Sequence, residues 1–439
     1  MAAAFSDNRC VAAPGLLLAS AAHAPNPWMI VPFVLMLLAI ALMPFIHAHW
    51  WEQHYAKVAA ALGLFTAGYY VLFLHDGPHM LEVAHEYVSF IALIGSLFIV
   101  AGGIHIRVRG ESTPLRNTVY LATGAVLANF IGTTGASMLM IRPWIRMNKY
   151  RITAFHVVFF IFIVSNTGGA LTPIGDPPLF LGYLRGVPFF WSVAELWPAW
   201  AFLLGALLVI FYAFDRINFA RAPEVVRELE TGYEKFSVDG KRNFAFIGII
   251  LAAVFFPSPW RELLMGLAAA ASWHFTPKPV HEANHFSFHP IKEVAWLFFG
   301  IFGTMVPALD YLQIHADHLG ISTPAAFYTV TGLLSSCLDN APTYLTFLAA
   351  ALGQQGLSLK SGADVALFAA EHATTLAAIS LGAVFFGAAT YIGNGPNFMV
   401  KSIAQHAKVQ TPSFFGYVLR YSLPILAPLL AIVAWLFLV

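Results

Sequence analysis

Apolar runs long enough to cross a lipid bilayer recur from one end of this 439-residue chain to the other, at 29–47, 56–74, 87–106, 196–214, 293–312 and 419–439. A hydrocarbon core about 30 Å thick takes about 20 apolar residues in a helix. No soluble core of this size needs so many. Composition agrees, since 10% of the residues are charged where a soluble domain carries roughly a quarter. The chain is predicted to be an all-α polytopic membrane protein. A multi-pass protein of the inner (plasma) membrane is expected, with the bilayer as its first partner.

Several function classes fall away. Cys10 and Cys337 lie far apart, and no spacing points to a structural metal or a disulfide framework. There is no phosphate-cradling P-loop, so an ATP-driven pump within this chain is not expected. No cofactor, enzymatic activity or nucleic-acid partner is expected either. Residues 1–28 form a tail with signal-like features: Arg9, an apolar stretch Val11–Ala22 and the small-residue end Ala22-His23-Ala24. Pro25 directly after that end argues against cleavage there.

Lys and Arg concentrate in cytoplasmic loops and so orient the chain. Arg107, Arg109 and Arg116 make one basic stretch; Arg142, Arg146, Lys149 and Arg151 make a second. A third, 215–242, reads as a cytoplasmic linker with a lateral helix. Between the first two lie the 24 residues Asn117–Met140. One crossing would set two basic loops on opposite sides, and two crossings need about 40 residues. A re-entrant hairpin remains, turning near Gly132-Thr133-Thr134-Gly135. Such a loop is tolerated only against protein or a wet cavity. The second half repeats the pattern upside down, with its hairpin tip at Ser335–Thr343. Each repeat, 29–214 and 243–439, then holds three spans, a hairpin, a broken span and a final span. About ten crossings and two hairpins result, with 262–276 the shortest of the crossings; the inverted relation depends on its crossing.

The broken spans are explicit in the sequence. Ser165–Pro178 interrupts an apolar segment with three glycines, three prolines, four hydroxyl or amide side chains and one carboxylate. Proline breaks a helix interior at a cost of about 3 kcal/mol. Thr390–Asn397 interrupts 372–407 in the same way. Paired, Gly- and Pro-interrupted spans in two halves are the best sequence pointer to a transporter site at the midplane. Unwound carbonyls attract cations, and half-helix N-termini attract anions. The expected ligand set is Thr133, Thr134, Ser165, Asn166, Thr167, Thr172, Asp176, Asp339, Asn340, Thr343, Asn394 and Asn397. A charged group at this depth is costly and functional by default. Asp176 and Asp339 are therefore the candidate proton carriers, each also able to cap a half-helix. Asp339 is the preferred carrier, because Pro177 favours capping for Asp176.

The stretch SNTGGALTPIGD, Ser165–Asp176, resembles the broken-helix motif of NhaD-type sodium/proton antiporters. These belong to an ion transporter superfamily that also holds arsenite permeases, citrate–metal symporters and sodium-coupled dicarboxylate carriers. DNAPT, Asp339–Thr343, resembles the hairpin tips of that superfamily, and the repeat pattern extends the resemblance loosely over 29–439. The resemblance implies a homodimeric carrier working by alternating access. Two departures bear on substrate: Pro177-Pro178-Leu179-Phe180 follow the motif, and Thr133-Thr134 stand where relatives often place an aspartate or asparagine.

Sodium (or another monovalent cation)/proton antiport, with Na⁺ and H⁺ as the transported ions, is the expected function. Ion-coupled transport of citrate, a dicarboxylate or an oxyanion is the alternative. No Lys or Arg lies inside the motif segments, which favours the cation; Arg185 and Lys401, just beyond the breaks, favour the anion. His281-Glu282-Ala283-Asn284-His285 fits the zinc-protease pattern H-E-x-x-H, but Pro277, Pro279 and Pro290 leave little room for its helix. His156 and His372 sit in broken spans, where packing is expected over proton relay. His47, His49 and His54 read as interface residues.

Overall fold

The computed structural model describes residues 26–107, 112–221 and 237–439. The signal-like tail up to Pro25, Arg109 and most of the predicted lateral helix lie outside the described residues. Among the described residues eight helices are long and apolar enough to cross a bilayer, nine if the bent pair Gly362–Glu371 and Ala373–Ala389 counts as one span. The chain is an all-α polytopic membrane protein.

The first three spans are α1 (Val31–Ile46), α2 (Ala48–Leu72) and α3 (Gly77–Gly102). Asp76 starts α3 by accepting from the His79 N–H, with a proline in the first turn. The next helix, α4 (Pro114–Met147), is 34 residues long but is not one rod. Gly132 inside it has φ 74° and ψ 155°, a conformation glycine tolerates without steric cost. The chain reverses there. Tyr120 donates to the Met140 carbonyl at 2.8 Å, Tyr120 stacks on Trp144, and Asn117 donates to Asn148 at 2.7 Å. Those pairs mark two antiparallel arms whose feet meet, so α4 is the predicted re-entrant hairpin. It is longer than expected, however, and its second arm includes Arg142 and Arg146.

After the hairpin come the half-helices α5 (Ala154–Ile163) and α6 (Pro177–Arg185), then α7 (Trp191–Arg221). The predicted linker began at 215, yet Asp215 is fully buried within α7. Arg151 forms an ion pair with it, His156 Nε2 donates to it at 3.0 Å and Asn117 donates at 2.8 Å. The side chains of Asn117 and Arg151, at the feet of the hairpin, therefore converge on one buried carboxylate. His156 belongs to this network, well away from the breaks. A short clip, β1 (His105–Arg107) antiparallel to β2 (Ser237–Asp239), ties the loop after α3 to the start of the second repeat.

The second repeat opens with two short helices, α8 (Asn243–Ala253) and α9 (Trp260–Phe275). Neither reaches the length of the eight long spans. They lie along α3: Asn243 donates to the Gly103 carbonyl at one end, and Ser258 contacts His85 at the other. At about 1.5 Å per residue the stretch of α3 between those points covers about 27 Å, close to the core thickness. Segment 262–276, about 22 Å of helix at that rise, is not among the helices long and apolar enough to cross. The short α10 (Lys278–Ala283) and the long α11 (His289–Ile314) follow.

Hairpin two is α12 (Pro324–Cys337) and α13 (Asn340–Gln354), its ends joined where Gln354 donates to the Ile321 carbonyl at 2.7 Å. A lateral α14 (Gly362–Glu371) bends by 100° into α15 (Ala373–Phe386), and α16 (Gly395–His406) and α17 (Phe414–Phe437) complete the chain. We call the end holding Arg142, Arg146 and Lys149 inner and its opposite outer. The first repeat then runs inward, outward, inward, dips in a hairpin from the inner end, breaks outward and returns. The second runs the reverse course, its first two legs being the short α8 and α9. In direction of travel the two repeats are inverted copies.

His281 and His285 do not form a zinc site. α10 is six residues long, His285 lies beyond it with φ 45°, and His281 packs on Trp273 and Phe286. Burial there pushes the His281 imidazole pKa below its ordinary range. Among the described residues no three His, Cys, Asp or Glu side chains converge as metal ligands.

Candidate functional site

Both hairpin tips and both breaks meet at one buried carboxylate, that of Asp176. Its Oδ1 accepts from Thr133 Oγ1 of the first tip at 2.7 Å and from Asn394 Nδ2 of the second break at 3.1 Å. Its Oδ2 accepts from Asn340 Nδ2 of the second tip at 2.6 Å. All four side chains are buried.

The breaks that bring these groups together are built alike. In the first, Gly169 and Gly175 approach so closely that a Cβ on Gly175 would stand 2.1 Å from the Gly169 carbonyl oxygen. In the second, a Cβ on Gly393 would stand 2.7 Å from the Gly387 oxygen. Between each pair sits a threonine that accepts from the later glycine: Thr172 from Gly175 N and Thr390 from Gly393 N, both at 3.1 Å. Each threonine also donates to its own hairpin, Thr172 to the Asn129 carbonyl and Thr390 to the Ser336 carbonyl. Asp176 and Asn394 then begin the half-helices α6 and α16, each with proline in the first turn. The glycines permit the backbone crossing, the threonines hold it, and the prolines stop the helix from continuing back through it.

A second cluster adjoins the carboxylate. Asn166 donates to Asn397 Oδ1 at 2.7 Å and accepts from Asn394 at 3.2 Å, while Asn397 donates to the Gly387 and Thr390 carbonyls. The Ser165 hydroxyl hydrogen-bonds to Ser137 at 2.8 Å. Two buried oxygens here, Asn340 Oδ1 and Thr167 Oγ1, have no hydrogen-bond partner among the described residues. A neutral oxygen left unpaired in so dry a place costs free energy that a bound cation would offset. Beside Thr133 and Asp176 lies a cavity of about 20 Å³, also lined by Thr134, room for one water or one small ion.

The capping contact falls on the other aspartate from the one the sequence favoured for it. Asp176 sits at the cap position of α6, yet its side chain caps nothing. Asp339 caps α13 by accepting from the Ala341 N–H at 3.0 Å, and Thr343 donates to the Asp339 backbone carbonyl. Thr172 and Thr343 therefore hold backbone in place, while Thr133, Asn166, Asn340, Asn394 and Asn397 form the convergent set around Asp176.

Asp339 does face open space. A cavity of about 1110 Å³ runs from Asp339, Asn394 and Gly395 to the inner end. One wall is the second arm of the first hairpin with α16; the other is α1, α2 and α11. Arg142 lines it, half-buried, with no ion pair or hydrogen bond among the described residues, and Arg146 lies one turn nearer the mouth. Glu52 and Glu293 stand on the opposite wall. In the sequence Arg142 falls just past the hairpin's expected end at Met140; the apolar run through Ile141, with Pro143 beyond, is the signal that extends it. The two cations singled out just beyond the breaks are engaged elsewhere: Arg185 pairs with Glu86 at 2.7 Å, and Lys401 lies over the Tyr391 ring at 4.4 Å.

A sequence model of the family described as "Putative citrate transport" matches residues 22–438, nearly the whole chain. No curated protein matches it.

Proposed function

The chain belongs to this citrate transport family, and from that premise we propose that it is a secondary carrier that moves a di- or tricarboxylate coupled to a cation or proton by alternating access. The observation that carries the carboxylate reading is Arg142. Its guanidinium is half-buried on the cavity wall, with no ion pair or hydrogen bond among the described residues. A planar carboxylate in the cavity would match its fork of donors. The N-terminus of α16 opens into the same cavity and favours negative charge in the same place. Asp176 and the unpaired Asn340 oxygen supply a hard, oxygen-only setting for the coupling cation, and Asp339 on the cavity wall gives a second carboxylate within reach of the substrate path.

Proteoliposome uptake of citrate, succinate and acetate, with an internal pH dye, tests the reading. Uptake of the polycarboxylates is expected, and Arg142→Gln should raise their KM by about tenfold or more, with Arg142→Lys in between. Dye responses to Na⁺ or K⁺ gradients without any carboxylate, and no citrate flux, would instead establish sodium/proton antiport of the NhaD type. The motif Ser165–Asp176 and the neutral oxygens around Asp176 favour that second reading.

A further inference from the structure

The inner cavity has a symmetry partner at the outer end, and that partner is shut. The 218-residue offset that pairs Asp176 with Asn394 also pairs Arg185 with Ile403 and Leu184 with Ser402. Ile403 and Ser402 both line the inner cavity. Counted from the equivalent tip residues Thr133 and Asn340, Arg146 at the cavity corresponds to Gly353 of hairpin two. Arg146 is exposed at the inner end, whereas its outer equivalent is packed. Gly353 lies so close to α11 that a Cβ would stand 2.3 Å from the Gln313 carbonyl oxygen.

Two ion pairs cross this seam. Lys360, in the loop after hairpin two, reaches Asp310 of α11 at 3.0 Å, and Tyr70 of α2 donates to the same carboxylate at 3.0 Å. Arg185, at the outer end of α6, meets Glu86 of α3 at 2.7 Å with both side chains largely buried. Gly186 and Gly362 lie against each other, so the two cations belong to one side of the seam. Their carboxylates belong to the other, on α11 and α3. α2 and α11 are also the far wall of the inner cavity.

We propose that the Lys360–Asp310 and Arg185–Glu86 pairs latch an outer cleft shut while the inner cavity is open, and must part for the outward-open state to form. This rests on the chain being an alternating-access carrier and not on what it carries, so the test uses no substrate. In a background with Cys10 and Cys337 replaced by serine, Ser402→Cys reports the inner cleft and Leu184→Cys the outer. A membrane-impermeant maleimide is applied to inside-out and right-side-out vesicles.

Glu86→Gln combined with Lys360→Gln should speed labelling at 184 by at least about threefold and slow labelling at 402 by the fraction of molecules that leave the inward-open state, because a ligand-free two-state equilibrium moves by the interaction removed from one state. The swapped pair Asp310→Lys with Lys360→Asp should bring both rates back toward those of the unsubstituted latch. Unchanged rates at both reporters in folded protein would overturn the proposal, and so would a swap that restores nothing. If the double variant does not purify, Glu86→Gln alone and the swap are read by the same two rates.

Discussion

Asn394 Nδ2 stands 3.1 Å from Asp176 Oδ1, and the two residues hold the same place in the two inverted repeats. Each begins the outgoing half-helix of its break, and each lies one residue beyond the glycine that crosses its partner strand. The site is therefore symmetric in backbone and asymmetric in charge. One repeat supplies a carboxylate where the other supplies a neutral amide, and the amide donates to the carboxylate. Such a pair can hold a single positive charge without a second anion to repel the carboxylate.

Asp176→Asn should abolish ion coupling while leaving the protein folded, since the amide is the same size. Moving the charge across the axis, with Asp176→Asn and Asn394→Asp together, should recover part of the flux. Flux and pH profile in proteoliposomes decide it; wild-type coupling in the single variant would move the ion elsewhere. Asp339→Asn, whose amide oxygen can still cap α13, should keep coupled transport.

Leu115 and Lys149 are exposed at the two feet of the first hairpin, whereas neighbouring Ser112 and Asn148 are buried. Leu115→Cys and Lys149→Cys should both react with an impermeant maleimide from the same side of the membrane. Labelling from opposite sides would make α4 a single span.

Gly175→Ala should destabilise the folded protein, because its Cβ would enter the space of the Gly169 carbonyl. Overpacking of this kind costs about 1–3 kcal/mol. Gly205→Ala, with nothing within 4 Å of the added Cβ, serves as the control. Thermal unfolding in detergent should separate the two.

Arg151→Met leaves Asp215 charged and buried, with only His156 and Asn117 to satisfy it. Breaking a buried pair from one side costs about 3–5 kcal/mol. The apparent Tm should fall sharply, and Arg151→Met with Asp215→Leu should recover much of the loss. Equal Tm values for the single variant and the parent would show that this network does not hold the hairpin feet.

Much of the architecture is local and so was readable in the residues. Apolar length sets the spans, charge between them sets the sides, and the Gly and Pro clusters at Ser165–Pro178 and Thr390–Asn397 mark where helices cannot continue. Even the hairpin followed from counting, since the 24 residues between two basic stretches allow nothing else. Which polar groups meet was a different matter. Asp176 looked like the cap because Pro177 follows it, yet its carboxylate meets Thr133 and Asn340, which arrive from chain positions 43 and 164 residues away. Arg142 looked like the start of a loop and Arg185 like a free cation, until the fold put one on a cavity wall and the other against Glu86. Helix length, breakage and sidedness depend on neighbours in the chain and on the bilayer, so the amino-acid order determines them. Hydrogen bonds and ion pairs act over about 3 Å, a distance that only the packing of two distant repeats against each other can set.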